Sequence, residues 1–268
     1  MAYENIIVDA KGRVGIVTLN RPKALNALTH EMITAIAAQL IEWAEDDAVA
    51  TVAISGAGDR GLCAGGDVTQ IYQSARAGGE QVARFWADEY ALDLAISRYP
   101  KPYVALMDGY VLGGGIGVSA HGSVRVVTET TQFGMPEVTI GFVPDVGGTF
   151  LLSRAPGEVG THLALTGSTG SGADAIALGF ADHFVPSAAL AALLVDLETQ
   201  PAADAVARHA VVAPASELLA QRDWIDEAYA GDDVLTILHR LKNSTVAEAR
   251  AAAPARARWG AHLLLAML

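Results

Sequence analysis

The sequence predicts an α/β protein in which crossover helices join neighbouring strands. Three observations support this fold class. Short β-branched and apolar runs recur along the chain, two of them end in glycine-rich loops, and amphipathic helical patterns lie between them. Strand, glycine loop and helix repeated in this order are typical of a sheet built by crossover connections.

The first elements are a hairpin and a helix. Residues 6–8 and 14–19 are β-branched runs separated by a turn at Lys11 and Gly12, which predicts an opening hairpin. Thr29 is then placed to cap a helix. Apolar residues follow it at helical spacing, namely Met32, Ile33, Ile36, Leu40 and Trp43.

The next elements are a strand and a longer helix. Residues 49–55 form a short apolar strand that runs into a glycine-rich loop at 56–67. A helix is expected over residues 80–97, because apolar side chains recur on one of its sides. Pro100 and Pro102 end it.

The same pattern then recurs. Residues 103–107 make the next strand, which again ends in glycines, at 109, 113–115 and 117. A further strand is expected at 124–127. From Pro156 onward the chain is mainly helical, with a last strand at 182–185 and a looser, alanine-rich helical segment at 186–214.

Composition and charge narrow the function classes. The chain has 268 residues, 51% hydrophobic and 18% charged, which is an ordinary globular composition. Its net charge of -12 argues against nucleic-acid binding, because phosphate neutralisation needs a basic face. A small anionic ligand is not excluded by this charge.

Cysteine and histidine usage adds further expectations. Cys63 is the only cysteine, so no disulfide framework or thiolate metal cluster is expected, and a cytoplasmic location fits best. The histidines lack the clustered spacing of a metal site. The start of the sequence does not resemble a signal peptide, and no apolar run is long enough to predict a membrane-spanning helix.

The two glycine-rich loops are the strongest local signal. Glycine permits positive φ and lets backbone N–H groups approach a ligand closely, so the loops could together hold one developing oxyanion. Tight strand-to-helix packing is the plain alternative. Residues 115–120 also match the dinucleotide fingerprint G-x-G-x-x-A, but the run does not follow its strand directly, and the helix before residue 124 is too short.

Four motifs in a fixed order resemble the crotonase (enoyl-CoA hydratase/isomerase) superfamily. They are NRPKALNAL at 20–28, CAGGD at 63–67, the glycine run at 109–117 and GFVPDVGG at 141–148. The resemblance covers about residues 5–190 and is highly specific. Within the superfamily the stretch from KPYVAL at 101–106 through MPE at 135–137 is most similar to 3-hydroxyisobutyryl-CoA hydrolases.

The resemblance implies a fold and a substrate. The fold is an α/β spiral of repeated ββα units over residues 1–190, followed by a helical C-terminal region at 191–268 that is shorter than in the family. The substrate is an acyl-CoA thioester, with coenzyme A as part of the substrate and no separate cofactor. A homo-oligomer, trimer or hexamer, is expected, and the apolar residues 263–268 are a candidate for contacts with a partner subunit.

Site residues are carried over from the family position by position. The oxyanion-hole N–H groups fall at Gly66 and Gly114. The substrate-contacting acids fall at Glu89, Glu137 and Asp145. The positions that would hold coenzyme A are Lys23, Ala24, Leu25, Ala64, Gly65 and Asp67.

Gly117 decides between two reactions of the superfamily. The resemblance implies that hydratases use two glutamates, one at the position of Glu137 and one at the position of Gly117. Glycine has no titratable group, so the two-glutamate mechanism is not available in its usual form. We therefore expect hydrolysis of a short branched 3-hydroxyacyl-CoA, with Glu137 as nucleophile or general base and with Asp145 and Glu89 contacting the substrate hydroxyl or the water.

Each acid also has an ordinary structural interpretation. Glu137 follows a proline and could cap a helix, Asp145 could be a turn residue, and Glu89 could lie on a solvated helix face. Two further functions stay open at the level of sequence. One is hydration or isomerisation of an enoyl-CoA by Glu137 alone, and the other is acyl-CoA binding without catalysis.

Overall fold

The computed structural model describes residues 3–253, and these contain nine strands. In chain order they are Ile6–Lys11 (β1), Val14–Leu19 (β2), Thr51–Gly56 (β3), Tyr103–Met107 (β4), Tyr110–Leu112 (β5), Val124–Val127 (β6), Gln132–Gly134 (β7), Thr169–Ser171 (β8) and His183–Phe184 (β9). Residues 263–268, expected to contact a partner subunit, lie outside the described part of the chain.

Six of these strands form the main sheet, in the order β1-β2-β3-β4-β6-β9. The pair β1 and β2 is antiparallel, which confirms the predicted hairpin, and every later pair is parallel. Both faces of β4 are buried, so its sequence YVALM is apolar throughout rather than alternating.

The other three strands form a small sheet in the order β5-β7-β8. Strands β4 and β5 are consecutive in the chain but belong to different sheets. The same is true of β6 and β7. The loop after β3 also crosses from the main sheet to the small one. Its residue Gly61 forms a bridge to Gly109, just before β5, and Cys63 forms one to Val111 within β5. The chain therefore winds as a spiral, and each turn adds one strand to each sheet.

Thirteen α-helices connect or cover the strands within residues 3–253. They are His30–Glu45 (α1), Val68–Arg76 (α2), Glu80–Ser97 (α3), Gly114–Ala120 (α4), Gly148–Leu152 (α5), Val159–Thr166 (α6), Gly172–Ala177 (α7), Leu190–Leu197 (α8), Ala202–His209 (α9), Glu217–Ala220 (α10), Arg222–Tyr229 (α11), Val234–Asn243 (α12) and Ala247–Ala252 (α13). No helix in this part of the chain is both long and apolar enough to cross a membrane.

Two predicted helices are confirmed in position. The side chain of Thr29 accepts a hydrogen bond from the backbone N–H of Met32 and so caps α1. Helix α3 has the predicted bounds and packs against α1 and α4. Its buried side carries two carboxyl groups, those of Glu89 and Asp93. This helix therefore brings ionisable groups into an otherwise apolar layer.

The helical prediction for residues 186–214 is confirmed, but the prediction that the segment is loose is wrong. This stretch forms α8 and α9, which cover the face of the main sheet opposite α1 and α3. Leu193 and Leu197 are fully buried against Val104 and Leu106 of β4. Each buried leucine contributes about 1.5–3 kcal/mol, so alanine-rich composition does not make this segment loose.

Candidate active site

A cavity of about 510 Å³ lies where both glycine-rich loops meet α3 and the segment between β7 and α5. Its lining includes six of the residues expected at the site: Ala64, Gly65, Gly66, Gly114, Glu137 and Asp145. Glu89 lines it as well. No lysine, arginine or histidine contributes to this lining within residues 3–253.

The backbone N–H groups of Gly66 and Gly114 are adjacent and free. On either side of Gly66, Leu28 donates to the carbonyl of Gly65 at 2.8 Å and Asp67 donates to the carbonyl of Leu28 at 2.9 Å, which leaves the N–H of Gly66 without a partner in the described chain. Gly114 is the first residue of α4, so its N–H has no intrahelical acceptor. A Cβ atom on Gly114 would lie 3.4 Å from the nitrogen of Gly66. Two free N–H donors therefore lie close together at the cavity.

Three carboxyl groups lie directly against glycines of the same loop and helix. A Cβ atom on Gly113 would lie 2.7 Å from Oε1 of Glu137, and one on Gly114 would lie 2.6 Å from Oε1 of Glu89. One on Gly117 would lie 2.7 Å from Oδ1 of Asp93. Any larger residue at these three positions would displace a carboxyl group, so the glycines are needed for close approach as well as for backbone conformation.

The acids of the site have raised pKa values because they are buried together. Burial is the main cause for Glu89 and Glu137, and it raises the pKa of each carboxyl to about 8, with the negative charge of Asp145 adding to the effect. Burial also raises the pKa of Asp145, although the hydroxyl of Tyr90 donates to its Oδ2 at 2.7 Å and opposes the shift. At neutral pH this cluster holds several protons.

The structure resolves the ordinary interpretations of the three acids. Glu89 is only 2% exposed, so the solvated-face interpretation is wrong. Pro136, and not Glu137, occupies the cap position of the short 3₁₀ helix Glu137–Ile140, and no side chain caps it. Asp145 does belong to a turn, because its carbonyl accepts from the N–H of Gly148 at 2.6 Å, while its carboxylate faces the cavity.

Two side chains of the site were missed from the sequence. Asp93 is 5% exposed and lies one turn after Glu89 on the same buried side of α3. Tyr90 holds the carboxylate of Asp145. The sequence does carry a signal for Asp93. It falls at a core-facing position of an amphipathic helix, where a carboxyl residue is unusual. No comparable sequence signal marks Tyr90.

An aromatic pair forms one wall of the cavity and was also missed. Trp86 of α3 and Phe142 stack with ring centres 5.1 Å apart and planes 8° from parallel. The N–H of Phe142 donates to the carbonyl of Glu137 at 3.1 Å, so this wall is tied to the turn that carries the acid.

The residues expected to hold coenzyme A fall into two sets. Ala64 and Gly65 line the cavity, whereas Lys23 and Ala24 are exposed on a neighbouring 3₁₀ turn outside it. Leu25 joins the two sets, because its carbonyl accepts from the N–H of Ala64 at 3.0 Å.

Asp67 is adjacent to the cavity, but its carboxylate is already engaged. It accepts from the backbone N–H groups of Thr69 and Gln70, and it pairs with Arg21 at 2.9 Å. Its side chain therefore caps α2 and does not offer a free group to a ligand.

Other candidate chemistry is not supported by the geometry. Gly115 and Gly117 lie inside buried α4, where a Cβ on Gly115 would be 2.5 Å from the carbonyl oxygen of Cys63, so this fingerprint has no room for a dinucleotide phosphate. Burial raises the pKa of the Cys63 thiol to about 12, which makes it a poor nucleophile. Within residues 3–253 no three His, Cys, Asp or Glu side chains are grouped to hold a metal ion.

A family model described as enoyl-CoA hydratase/isomerase matches residues 14–262. The chain belongs to this family. The fold expected from the sequence motifs, an α/β crotonase spiral, is thereby confirmed. The match covers both the glycine-rich loops and the helices that follow β9.

Two curated relatives show which members of the family this chain is similar to. The chain is 41% identical to the mitochondrial 3-hydroxyisobutyryl-CoA hydrolase of Danio rerio over 252 residues, which is 90% of this chain and 66% of that protein. It is 46% identical to the mitochondrial 3-hydroxyisobutyryl-CoA hydrolase of Homo sapiens over 196 residues, 73% of this chain and 51% of that one. The chain thus spans about half to two thirds of these relatives' length.

Solved structures agree on the fold. A carnitinyl-CoA dehydratase from Mycobacterium thermoresistibile matches with a TM-score of 0.92 and 55% identity, over 94% of this chain and 74% of that one. An enoyl-CoA hydratase from Rhodobacter sphaeroides matches with a TM-score of 0.87 and 41% identity, over 93% and 73%. Proteins titled as hydrolase, dehydratase and hydratase are therefore all similar to this chain.

Proposed function

We propose that this chain hydrolyses the thioester of 3-hydroxyisobutyryl-CoA or a close short-chain 3-hydroxyacyl-CoA. One observation carries the proposal. The carboxyl group of Glu137 and the two free N–H groups of Gly66 and Gly114 face the same cavity, and the helix beyond Gly114 offers no second glutamate. The curated relatives named as hydrolases of this substrate support the same reaction.

The first step adds an oxygen nucleophile to the thioester carbon. The carbonyl oxygen lies between the N–H groups of Gly66 and Gly114, which stabilise the negative charge that develops there. One such donor is worth about 2.7–4 kcal/mol of barrier. The C–S bond then breaks, and coenzyme A leaves as a thiolate that takes up a proton.

Glu137 supplies the nucleophile in one of two ways. Burial raises the pKa of Glu137 to about 8, so thiol release should increase with pH as this carboxyl loses its proton. The carboxylate then either takes a proton from water or attacks the carbon itself, giving an anhydride that water then opens. A single turnover in ¹⁸O-labelled water tests for attack by Glu137. Label in Glu137 with none in the acid product indicates an anhydride that water opens at the Glu137 carbon, whereas label only in the acid product is expected for general-base catalysis or for opening at the substrate carbon.

Glu89 and Asp145 have complementary tasks in this scheme. Glu89 has a carboxyl that keeps its proton up to a pH of about 8, so it can donate a hydrogen bond to the substrate's hydroxyl group. Asp145 accepts from Tyr90, and this hydrogen bond lowers its pKa against the effect of burial and so favours its ionised form. The pair therefore offers one donor and one acceptor to a 3-hydroxyacyl group.

Dehydration is a second candidate, and one observation favours it. The solved structure with 55% identity is titled a carnitinyl-CoA dehydratase, and this cavity does hold a second glutamate, Glu89, supplied by α3. Elimination would take a proton from the carbon next to the thioester and release the 3-hydroxyl as water. Glu137 and Glu89 are the acids available for the two proton transfers.

One experiment separates these functions. The purified protein is incubated with 3-hydroxyisobutyryl-CoA and with crotonyl-CoA while free thiol and enoyl absorbance are followed. Thiol release from the first substrate that falls at least about 1000-fold in Glu137→Gln is expected. A change in enoyl absorbance without thiol would overturn hydrolysis in favour of hydration or dehydration. Silence in both assays with retained binding would indicate a non-catalytic acyl-CoA-binding protein.

Further properties of the whole protein stay predictions. We propose that coenzyme A passes along the side of the cavity formed by Ala64 and Gly65, with Lys23 near its phosphates. A homo-oligomer, a cytoplasmic location and the need for no separate cofactor are likewise proposed. Light scattering of the purified protein tests the first of these three, and a monomeric mass would contradict it.

A further inference from the structure

Asp93 is a buried acid that the proposed reaction leaves without a task. Neither of its carboxyl oxygens has a hydrogen-bond partner among residues 3–253, and the side chain is 5% exposed. It lies behind Glu89 and does not line the cavity. Both of its oxygens press on α4, at 2.7 and 3.0 Å from where a Cβ of Gly117 would be.

No positive charge compensates for this group. The ionisable groups that act on Asp93 are Glu89 on its own helix and Asp145 on the facing loop, and both are acids. Tyr103 on β4 and Tyr90 on α3 are phenols with raised pKa values, so they carry no charge. At the end of α4, burial lowers the pKa of His121, which keeps that ring neutral as well.

Two uncompensated carboxylates one helical turn apart cannot both be charged in such a place, since each buried charge costs several kcal/mol. Glu89 faces the cavity, where water or substrate can reach it, and Asp93 does not. The proton lost first is therefore that of Glu89.

We propose that Asp93 is a positioning residue that keeps its proton throughout the reaction and sets the packing of α3 on α4 behind Glu89, whose carboxyl group lies over Gly114. Only the effect of Asp93 on turnover rests on the proposed function, and its protonation does not. As a neutral acid, Asp93 fills the space over Gly117 without adding a second negative charge beside Glu89. Glu89 is then free to change its charge in response to substrate.

Infrared difference spectra of the full chain test the protonation without any substrate. Wild type minus Asp93→Asn is expected to show the carbonyl stretch of a protonated carboxyl group at both pH 7 and pH 9. Wild type minus Glu89→Gln is expected to show such a band at pH 7 and to lose it by pH 9. Asp204→Asn, on the exposed side of α9, is the matched control and is expected to show no such band at pH 7 or pH 9. Absence of the Asp93 band at pH 7 overturns the proposal.

Turnover tests the positioning role. Asp93→Asn, neutral and of the same shape, is expected to retain kcat within about threefold and to keep the limbs of the pH profile in place. Asp93→Ala is expected to lower kcat about tenfold with little change in KM. A shift of the pH limbs by one unit or more in Asp93→Asn, or equal kcat in the Ala and Asn variants, would overturn it.

Failure of the two proposals can be told apart. If the wild type releases no thiol from 3-hydroxyisobutyryl-CoA, the proposed function is wrong, while the infrared spectra still decide whether Asp93 carries a proton. If Asp93→Ala does not fold, the spectra and pH profile of the Asn variant decide the proposal.

Discussion

Asp93 and Asp174 are similarly inaccessible to solvent, at 5% and 3% exposure, yet their pKa values are shifted in opposite directions. Asp174, in α7, accepts from Ser171 and Ser216 through their hydroxyl groups at 2.7 and 2.6 Å, and from the backbone N–H groups of Ser171 and Leu218. Burial alone would raise its pKa, but these hydrogen bonds outweigh burial and lower it. Asp93 has no such partners, and its pKa is raised.

The difference teaches that hydrogen-bond donors can outweigh the effect of burial on the charge of an acid in this protein. Where donors surround the carboxylate, it is ionised and joins α7 to α10, which stabilises the fold. Where glycines surround it, the carboxyl is held by shape alone and keeps a proton. The hydrogen-bonded acid stabilises the fold, whereas the neutral Asp93 leaves Glu89 free to change its charge.

Among the changes that test this contrast, the largest effect should come from filling the space over a glycine of the site. In Gly114→Ala the new methyl group would lie 2.6 Å from Oε1 of Glu89 and 3.0 Å from Cδ1 of Leu28. We expect kcat/KM for thiol release to fall about 100- to 1000-fold, because the acid and the N–H donors lose their alignment. Circular dichroism should show a folded protein. Near-normal activity would mean that shape does not hold Glu89.

Removing the other kind of acid should affect stability instead. Asp174→Ala leaves the N–H of Leu218 and two hydroxyl groups without their acceptor, and we expect a loss of about 3 kcal/mol in the free energy of unfolding by urea. Activity per folded molecule should be unchanged. The exposed Asp232→Ala is the control and should stay within about 0.5 kcal/mol of wild type. An equal loss of unfolding free energy in Asp174→Ala and Asp232→Ala would show that the hydrogen bonds of Asp174 do not stabilise the fold.

The two kinds of acid should also respond to pH with opposite signs. Glu89 binds its proton more tightly in the folded protein, with a pKa of about 8 against an ordinary value of 4.5. Its favourable contribution is therefore complete below pH 4.5 and is lost as the pH rises through 8. Glu89→Gln should therefore raise the unfolding free energy by at least about 1 kcal/mol at pH 8.5 relative to its effect at pH 5.

Asp174, with its lowered pKa, should lose its contribution only as the pH falls into the acid range. Urea titrations of the Glu89→Gln and Asp174→Ala variants at pH 2.5, 4, 5, 7 and 8.5 measure both trends, because the loss for Asp174 is expected only below its ordinary pKa of 3.8. Parallel curves for the two variants would show that burial dominates after all.

The smallest effect is expected at Asp145, an acid of the site that has a hydrogen-bond donor as Asp174 does. Tyr90 donates to Asp145 and lowers the pKa of that carboxyl against the effect of burial. Tyr90→Phe should lower kcat/KM about 5- to 10-fold and move the acid limb of the pH profile to higher pH. An acid limb that stays in place would show that Asp145 does not titrate in the reaction.

Much of the fold follows from local patterns in the sequence. The hairpin of β1 and β2, the cap at Thr29 and the bounds of α3 all depend on residues close to one another in the chain. The small sheet was not predicted, because β5, β7 and β8 have three residues each and are fixed by distant partners. Their short runs look like loops until the pairing is known.

The site could be predicted only in part for the same reason. Motif order placed Glu137, Asp145 and the two glycine loops, and the structure brings them to one cavity. Asp93 was missed because its significance depends on Gly117, which lies 24 positions away in sequence and leaves room for its carboxyl group. A pattern along one helix shows that a carboxyl lies on the buried side, but not what lies opposite it.

The order of strands in the main sheet has a consequence for how this protein is made. Because β1, β2, β3, β4, β6 and β9 are neighbours in the order of synthesis, the sheet can grow at one edge as the chain leaves the ribosome. Each stage then presents an open edge that awaits the next strand, and an open edge can pair with another nascent chain. The short last strand, β9, ends this growth and leaves little edge on which aggregation could begin.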